Sequence, residues 1–250
     1  MSGAQRTRIK FCGMTSAADI ALAVEAGADA IGVILAPSSP RRVELAACPL
    51  LAAAIPPFVT KVAVVTSPTR GDAERLRALG FLLQFSGDES PAECEQRAAG
   101  STYLKVFHLG ARRTCPMGDD GRIGRQAERN GFDEVESLGD DPPDAVADPN
   151  RFNQAGTLAE YTTAIPMFDS RVGGKHGGTG KTFAWDIVAP LARRRPIIIS
   201  GGLHPANVAA CVQQLHPYAV DVRSGIESNG RKDAHKMRAF ARAVMEVDGR

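Results

Sequence analysis

The sequence predicts an α/β fold of eight strands, each followed by a helix. Three observations carry that reading. Short apolar runs alternate with longer amphipathic or polar runs along most of the 250 residues. Gly-rich turns follow the last two strands, at Ser200-Gly201-Gly202 and at Arg223-Ser224-Gly225. The length matches the roughly 250 residues typical of an eight-stranded α/β barrel. Alternation of this kind implies parallel strands joined by right-handed crossovers. It leaves two architectures open, a closed barrel and an open doubly wound sheet.

The elements follow in order. Residues 8–12 (Arg-Ile-Lys-Phe-Cys) form a first strand. A helix over 15–27 has Ser16 as its N-cap and Gly27 as its stop, because a short hydroxyl accepts an orphan N–H and glycine tolerates the reversal that ends a helix. Residues 29–35 are continuously apolar, the mark of a strand buried on both faces. A loop over 37–42 leads to a helix near 44–55. Strands over 59–65 and 81–85 alternate with helices over 70–79 and 91–99, and a fifth strand covers 103–107. The later strands are expected at 163–168, 196–200 and 218–222. Their helices are expected at 184–194, 205–215 and 233–247. Between strands five and six, residues 108–161 break the rhythm with Gly, Pro and Asp clusters such as Gly139-Asp140-Asp141-Pro142-Pro143. Connections normally run to about 2–6 residues, so this is a long insertion, with room for a helix over 122–130.

Composition narrows the function. Thirty basic and 28 acidic residues give a net charge of +2, with 44% hydrophobic residues. That balance provides no electrostatic footprint for nucleic acid. Arg193-Arg194-Arg195 reads as a solvated helix end. The start of the chain lacks an apolar signal core, and no apolar run approaches the roughly 20 residues of a membrane span. Five cysteines, an odd number with no CxxC pair, argue against a zinc site and against a disulfide framework. A cytoplasmic protein with reduced thiols is expected.

Candidate chemistry sits at the strand ends, where barrels place their active residues. Cys12 closes strand one, and Asp169 follows the apolar run of strand six. Taken alone, Cys12 reads first as a small core residue, and Asp169 reads as readily as a cap or loop ion pair. The turns after strands seven and eight suit a phosphate, since glycine lets backbone N–H groups approach its oxygens. Gly177-Gly178-Thr179-Gly180 could close over a ligand. Gly180-Lys181-Thr182 imitates the end of a P-loop, but Lys175 stands where the first glycine of that pattern is required.

Several segments, in order, resemble the phosphoribosylanthranilate isomerase family of tryptophan biosynthesis. They are Lys10-Phe11-Cys12-Gly13-Met14-Thr15, Ser39-Pro40-Arg41-Arg42-Val43, Gln84-Phe85-Ser86-Gly87, residues 177–185, Ser200-Gly201-Gly202 with 203–208, and Val220-Asp221-Val222-Arg223-Ser224-Gly225-Ile226-Glu227. The resemblance spans the chain outside the insertion. It implies a single-domain (β/α)8 TIM barrel over 1–250 and an Amadori rearrangement of a phosphorylated aminosugar. It implies Cys12 as general base, Asp169 as general acid and Arg41 as the guanidinium that holds the anthranilate carboxylate. Gly178, Gly201, Gly202, Ser224 and Gly225 are carried over as ligand-binding backbone, and Asp221 as an acceptor for a ribose hydroxyl. No metal or organic cofactor is implied. The partner is a small phosphorylated substrate, and the oligomeric state is left open. The chain departs from the family at Ser86, where a histidine is usual, at Arg223, where a serine is usual, and at Ala184, where an aspartate is common. A paralogue acting on a related aminosugar and a non-catalytic ligand- or partner-binding barrel therefore remain alternatives.

Overall fold

A computed structural model describes residues 6–110, 158–171 and 185–249. Eight parallel strands close into a barrel in sequence order, which decides between the two architectures left open by the alternation. They are β1 (Arg8–Cys12), β2 (Ala30–Ile34), β3 (Thr60–Val65), β4 (Leu82–Phe85), β5 (Tyr103–Gly110), β6 (Ala164–Arg171), β7 (Ile198–Ser200) and β8 (Ala219–Val222). The helices are α1 (Ala17–Glu25), α2 (Cys48–Ala54), α3 (Arg70–Ala78), α4 (Pro91–Ala98), α5 (Ala189–Ala192), α6 (Val208–Leu215) and α7 (Ala234–Val247). Closure is recorded where β1 pairs with β8, Lys10 lying opposite Asp221.

Local chemistry explains the helix starts. The Ser16 hydroxyl accepts from Asp19 N and caps α1. Ser90 and Glu93 form a reciprocal capping box on α4, with Pro91 at the first helical position where no N–H is needed. Asp233 accepts from two N–H groups at the head of α7.

The expected boundaries shift in several places that bear on the site. β5 and β6 both run farther than the sequence indicates, pairing as far as Leu109–Ser170 and Gly110–Arg171. His108 is therefore a strand residue rather than the first residue of the insertion. At the other edge, Leu158–Glu160 form a 3-10 turn, and Tyr161 is buried against Phe107 with ring centroids 5.5 Å apart. The insertion proper, 111–157, lies outside the described residues, together with the helix expected at 122–130. The helix expected over 184–194 is a 3-10 turn (Trp185–Ile187) followed by the four-residue α5. α6 begins at Val208 rather than near Pro205, because Asn207 turns back to accept from His204 N and donate to Gly202 O. A short antiparallel hairpin, β9 (Glu227–Ser228) with β10 (Arg231–Lys232), follows β8 and was not anticipated.

Strand alternation divides the interior. Ile9, Phe11, Ile31, Phe107, Phe168 and Val220 pack outward under the helices in one large core. Val62, Leu104, Val106, Met167, Ile198 and Ala219 fill the barrel axis. Above that apolar plug the inward positions become polar: Cys12 on β1, Gln84 on β4, His108 on β5, Asp169 on β6 and Asp221 on β8. The change from apolar to polar along the same inward rows makes the upper end of the barrel a site rather than more core.

Candidate active site at the barrel mouth

A cavity of about 250 Å³ opens at the C-terminal ends of the strands. Cys12, Asp169, Gly201, Gly202, Asp221 and Ser224 all line it. So do both family departures within the described residues, Ser86 and Arg223. The structure thus gathers into one cavity six of the nine residues singled out from the sequence.

Cys12 is 4% exposed. Burial pushes its thiol pKa up, and the neighbouring Asp221 carboxylate adds to that; the Lys10 and Lys232 ammonium groups oppose it without winning. Positive charge beside a sulfur favours its thiolate. The charge is present, yet the pKa is raised because desolvation of the anion costs more. Lys10 itself is 2% exposed, and its Nζ donates to Asp221 Oδ1 at 2.6 Å. Burial would lower the Lys10 pKa, but the Asp221 carboxylate foremost, with hydrogen bonding to Asp221 and Cys12, more than offsets it and holds the ammonium above its ordinary value. Gly32 on the adjacent strand makes room for this pair: a Cβ there would fall 2.8 Å from Cys12 Sγ and 3.0 Å from Lys10 Nζ.

Asp169 lies across the mouth on β6, its register partners being His108 on β5 and Ser200 on β7. The Ser200 hydroxyl is 3.1 Å from Asp169 Oδ2 and 3.1 Å from Phe168 O, so the carboxylate is oriented by a buried donor. Strand six does not end at Asp169, as the apolar run suggested, but continues to Arg171.

Directly after β7, Gly201 and Gly202 have φ of 80° and 64°, a region that costs other residues free energy. Their turn packs against the one after β8: a Cβ on Gly225 would fall 2.0 Å from Leu203 O. Gly225 does not line the cavity; it lets the two turns meet, while Ser224 opens a 3-10 turn facing the cavity. Two glycine-bearing turns meeting at the cavity are the kind of backbone that suits an anion.

Arg41 stands apart from the cavity lining. Its guanidinium donates to Gly230 O and pairs with Glu227 Oε1 at 3.2 Å, tying the loop after β2 to the β9–β10 hairpin. Glu227 Oε1 also accepts from Lys232 Nζ at 2.8 Å, and Lys232 in turn donates to Cys12 O at 2.7 Å. Arg41 and the backbone of Cys12 are thus linked through one network of hydrogen bonds and ion pairs. Burial lowers the Lys232 pKa, with Glu227 acting against it. Gly178 lies outside the described residues.

Sequence reasoning missed Lys10, Lys232 and Glu227 as members of the site, and His108 as a lining residue. Alternation along β1 places Lys10 and Cys12 on one face, and that signal could have found Lys10. Among the described residues, no group of His, Cys, Asp and Glu has the arrangement of a metal site. No described helix is long and apolar enough to cross a membrane.

Comparison with known proteins gives the family. Residues 144–243 match the family model described as N-(5'phosphoribosyl)anthranilate (PRA) isomerase. The N-(5'-phosphoribosyl)anthranilate isomerase of Leptothrix cholodnii is 42% identical, over 98% of this chain and 94% of that one. The crystal structure of phosphoribosyl anthranilate isomerase from Thermotoga maritima superposes with a TM-score of 0.71 at 24% identity, covering 96% of this chain and 99% of that one. A phosphoribosyl anthranilate isomerase in complex with reduced 1-(o-carboxyphenylamino)-1-deoxyribulose 5-phosphate shares the fold, with a TM-score of 0.68 at 23% identity, covering 96% and 99%. With a relative at 42% identity across nearly the whole chain, this protein belongs to the N-(5'-phosphoribosyl)anthranilate isomerase family.

Proposed function

We propose that this chain converts N-(5-phosphoribosyl)anthranilate to 1-(2-carboxyphenylamino)-1-deoxyribulose 5-phosphate, a step of tryptophan biosynthesis. The observation that carries the reading is that one cavity holds a thiol on β1, a carboxylate on β6 and the two glycine turns after β7 and β8. An Amadori rearrangement requires two proton transfers on opposite sides of a sugar held by its phosphate, and these groups provide for each part.

In the proposed mechanism the phosphate rests on the Gly201, Gly202 and Ser224 turns. Asp169, held by Ser200, gives a proton to the ring oxygen, and the furanose C1–O bond breaks to leave an open-chain iminium ion. The Cys12 thiolate then takes the proton from C2, and its electron pair neutralises the iminium as an enolamine. Protonation at C1 and loss of the C2 hydroxyl proton give the ketone. Asp169 must carry a proton at the start, a state favoured by the anionic phosphate and carboxylate of a bound substrate. Cys12 must be ionised, so the rate rises with pH through the thiol's raised pKa. Arg41 serves the carboxylate once it exchanges part of its contact with Glu227 for the ligand, a fork-to-fork geometry guanidinium favours. Arg223 adds a second cation at the cavity wall. The reaction draws on no cofactor in this scheme, and a cytoplasmic location fits a small phosphorylated metabolite.

The test is turnover by the purified protein, with phosphoribosylanthranilate generated in situ and its fluorescence followed. Loss of fluorescence well above the uncatalysed rate supports the assignment. A folded protein with no such loss directs the site to another phosphorylated aminosugar.

A further inference from the structure

We propose that Lys10 is a positioning residue for the catalytic base, its ammonium held beside Cys12 by Asp221 so that the buried sulfur can carry negative charge. The inference rests on the isomerase reading for the role of Cys12. It gives Asp221 a task within the protein rather than on a ribose hydroxyl.

Three observations support it. Lys10 occupies an inward position on β1 directly below Cys12, and its Nζ donates to Asp221 Oδ1 at 2.6 Å while also reaching the Cys12 sulfur. A lysine buried this deeply ordinarily sheds its proton, since desolvation penalises the charged form; the carboxylate 2.6 Å away keeps it cationic. Gly32, the β2 residue paired with Cys12, leaves the space in which sulfur and ammonium come together. Any larger residue would wedge between them. A buried ion pair deep in a barrel is weak evidence for stability, because apolar replacement is often as good. Its position one step below the reactive sulfur is what an electrostatic role explains.

The other charges around the sulfur are accounted for. Lys232 from β10 is committed to Cys12 O, Arg223 O and Glu227 Oε1, so it grips the backbone of the thiol residue. Asp169, His108 and Arg223 face the same cavity from β6, β5 and the turn after β8. Lys10 is the cation placed beneath the sulfur, away from the substrate's side of the cavity. It therefore stays in place through the catalytic cycle while substrate anions come and go.

The test is the pH dependence of Cys12 alkylation by iodoacetamide, quantified at the Cys12 peptide, in the unaltered protein and in Lys10→Met and Lys10→Arg. The expected result is that K10M reacts half-maximally at a higher pH than the parent, and that the acid limb of kcat/KM moves in the same direction. At neutral pH kcat should fall about 10- to 100-fold, the rate equivalent of one hydrogen bond to a charged group, with KM nearly unchanged. K10R should recover most of the loss. Alkylation and acid-limb curves of a folded K10M that superimpose on the parent would overturn the proposal and leave Lys10 a structural residue. Should K10M fail to fold, Gly32→Ala makes the same test, because its methyl group separates Lys10 Nζ from Cys12 Sγ; an unmoved G32A curve would also overturn it. Alkylation needs no substrate, so a protein without turnover would refute the isomerase reading while still reporting on Lys10.

Discussion

Replacing Gly225 by alanine tests how the anion-binding rim is built. Its φ is outside the left-handed region, so the methyl group is not excluded by backbone conformation. It is excluded by space: the new Cβ would lie 2.0 Å from Leu203 O and 2.9 Å from His204 Cα, both backbone atoms. Carbon atoms at their optimal separation are about 3.5–4.0 Å apart, so the turn after β7 or the one after β8 must retreat by more than ~1 Å. Overpacking of that kind costs about 1–3 kcal/mol, which lowers the melting temperature of a domain this size by roughly 2–12 °C. The functional loss should be larger in proportion, because a displacement of about 1 Å in groups that position a substrate costs about 100-fold in rate. The assay is kcat/KM for the isomerisation beside thermal unfolding followed by circular dichroism. Gly71 on α3, where an added Cβ meets nothing within 4 Å, provides the control: Gly71→Ala should leave both values near those of the parent. If G225A retains parental kcat/KM, the two turns do not jointly form the substrate's phosphate site.

Lys105→Met should destabilise the protein by about 3–5 kcal/mol in urea unfolding, because the buried Glu89 carboxylate loses the cation that meets it at 2.8 Å and keeps only the Ser67 and Gly87 N–H groups; a loss below ~1 kcal/mol would show the pair to be dispensable. Arg223→Ser should raise KM about 10- to 100-fold and reduce inhibition by inorganic phosphate, since Arg223 lines the cavity as an added cation; an unchanged KM would mean that it points away from substrate. Burial pushes the Cys211 thiol up to about 12 from an ordinary 9.0, so the folded state keeps a proton that the unfolded chain releases. Stability from this group is therefore complete below pH 9 and is lost as pH rises toward 12, and Cys211→Ala should flatten the fall of melting temperature across that window. Parallel melting curves for parent and variant would contradict that linkage.

Much of the barrel was legible because each strand carries its own signal. The continuous apolar run of β2 and the capping Ser16 are local features, readable without knowing what they touch. Cys12, Asp169 and the glycine turns were legible for a second reason: they stand at strand ends, where the fold directs side chains into a shared mouth. The features that escaped notice depend on partners distant in sequence. Lys10 meets Asp221 211 residues away, and no spacing rule connects them. Lys105 sits on the outward face of β5, where a lysine would be expected to reach solvent, yet it is sealed beneath Tyr161 and bonded to Gly87 O and Glu89. The apolar run stops before His108 and so marks it as the start of the insertion; β5 continues because β6 pairs with it. Arg41 was expected at the ligand, and the hairpin that engages it was itself unseen.

The most direct test of the account compares the parent with Cys12→Ala and Asp169→Asn, using substrate carrying deuterium at C2 of the ribose. The account predicts a primary isotope effect on the parent. It predicts losses of about 100- to 10,000-fold in kcat for each variant, the usual worth of a positioned acid or base, with binding of the reduced product analogue retained. A Cys12→Ala protein that turns over near the parental rate would contradict the assignment of the base and with it the central claim.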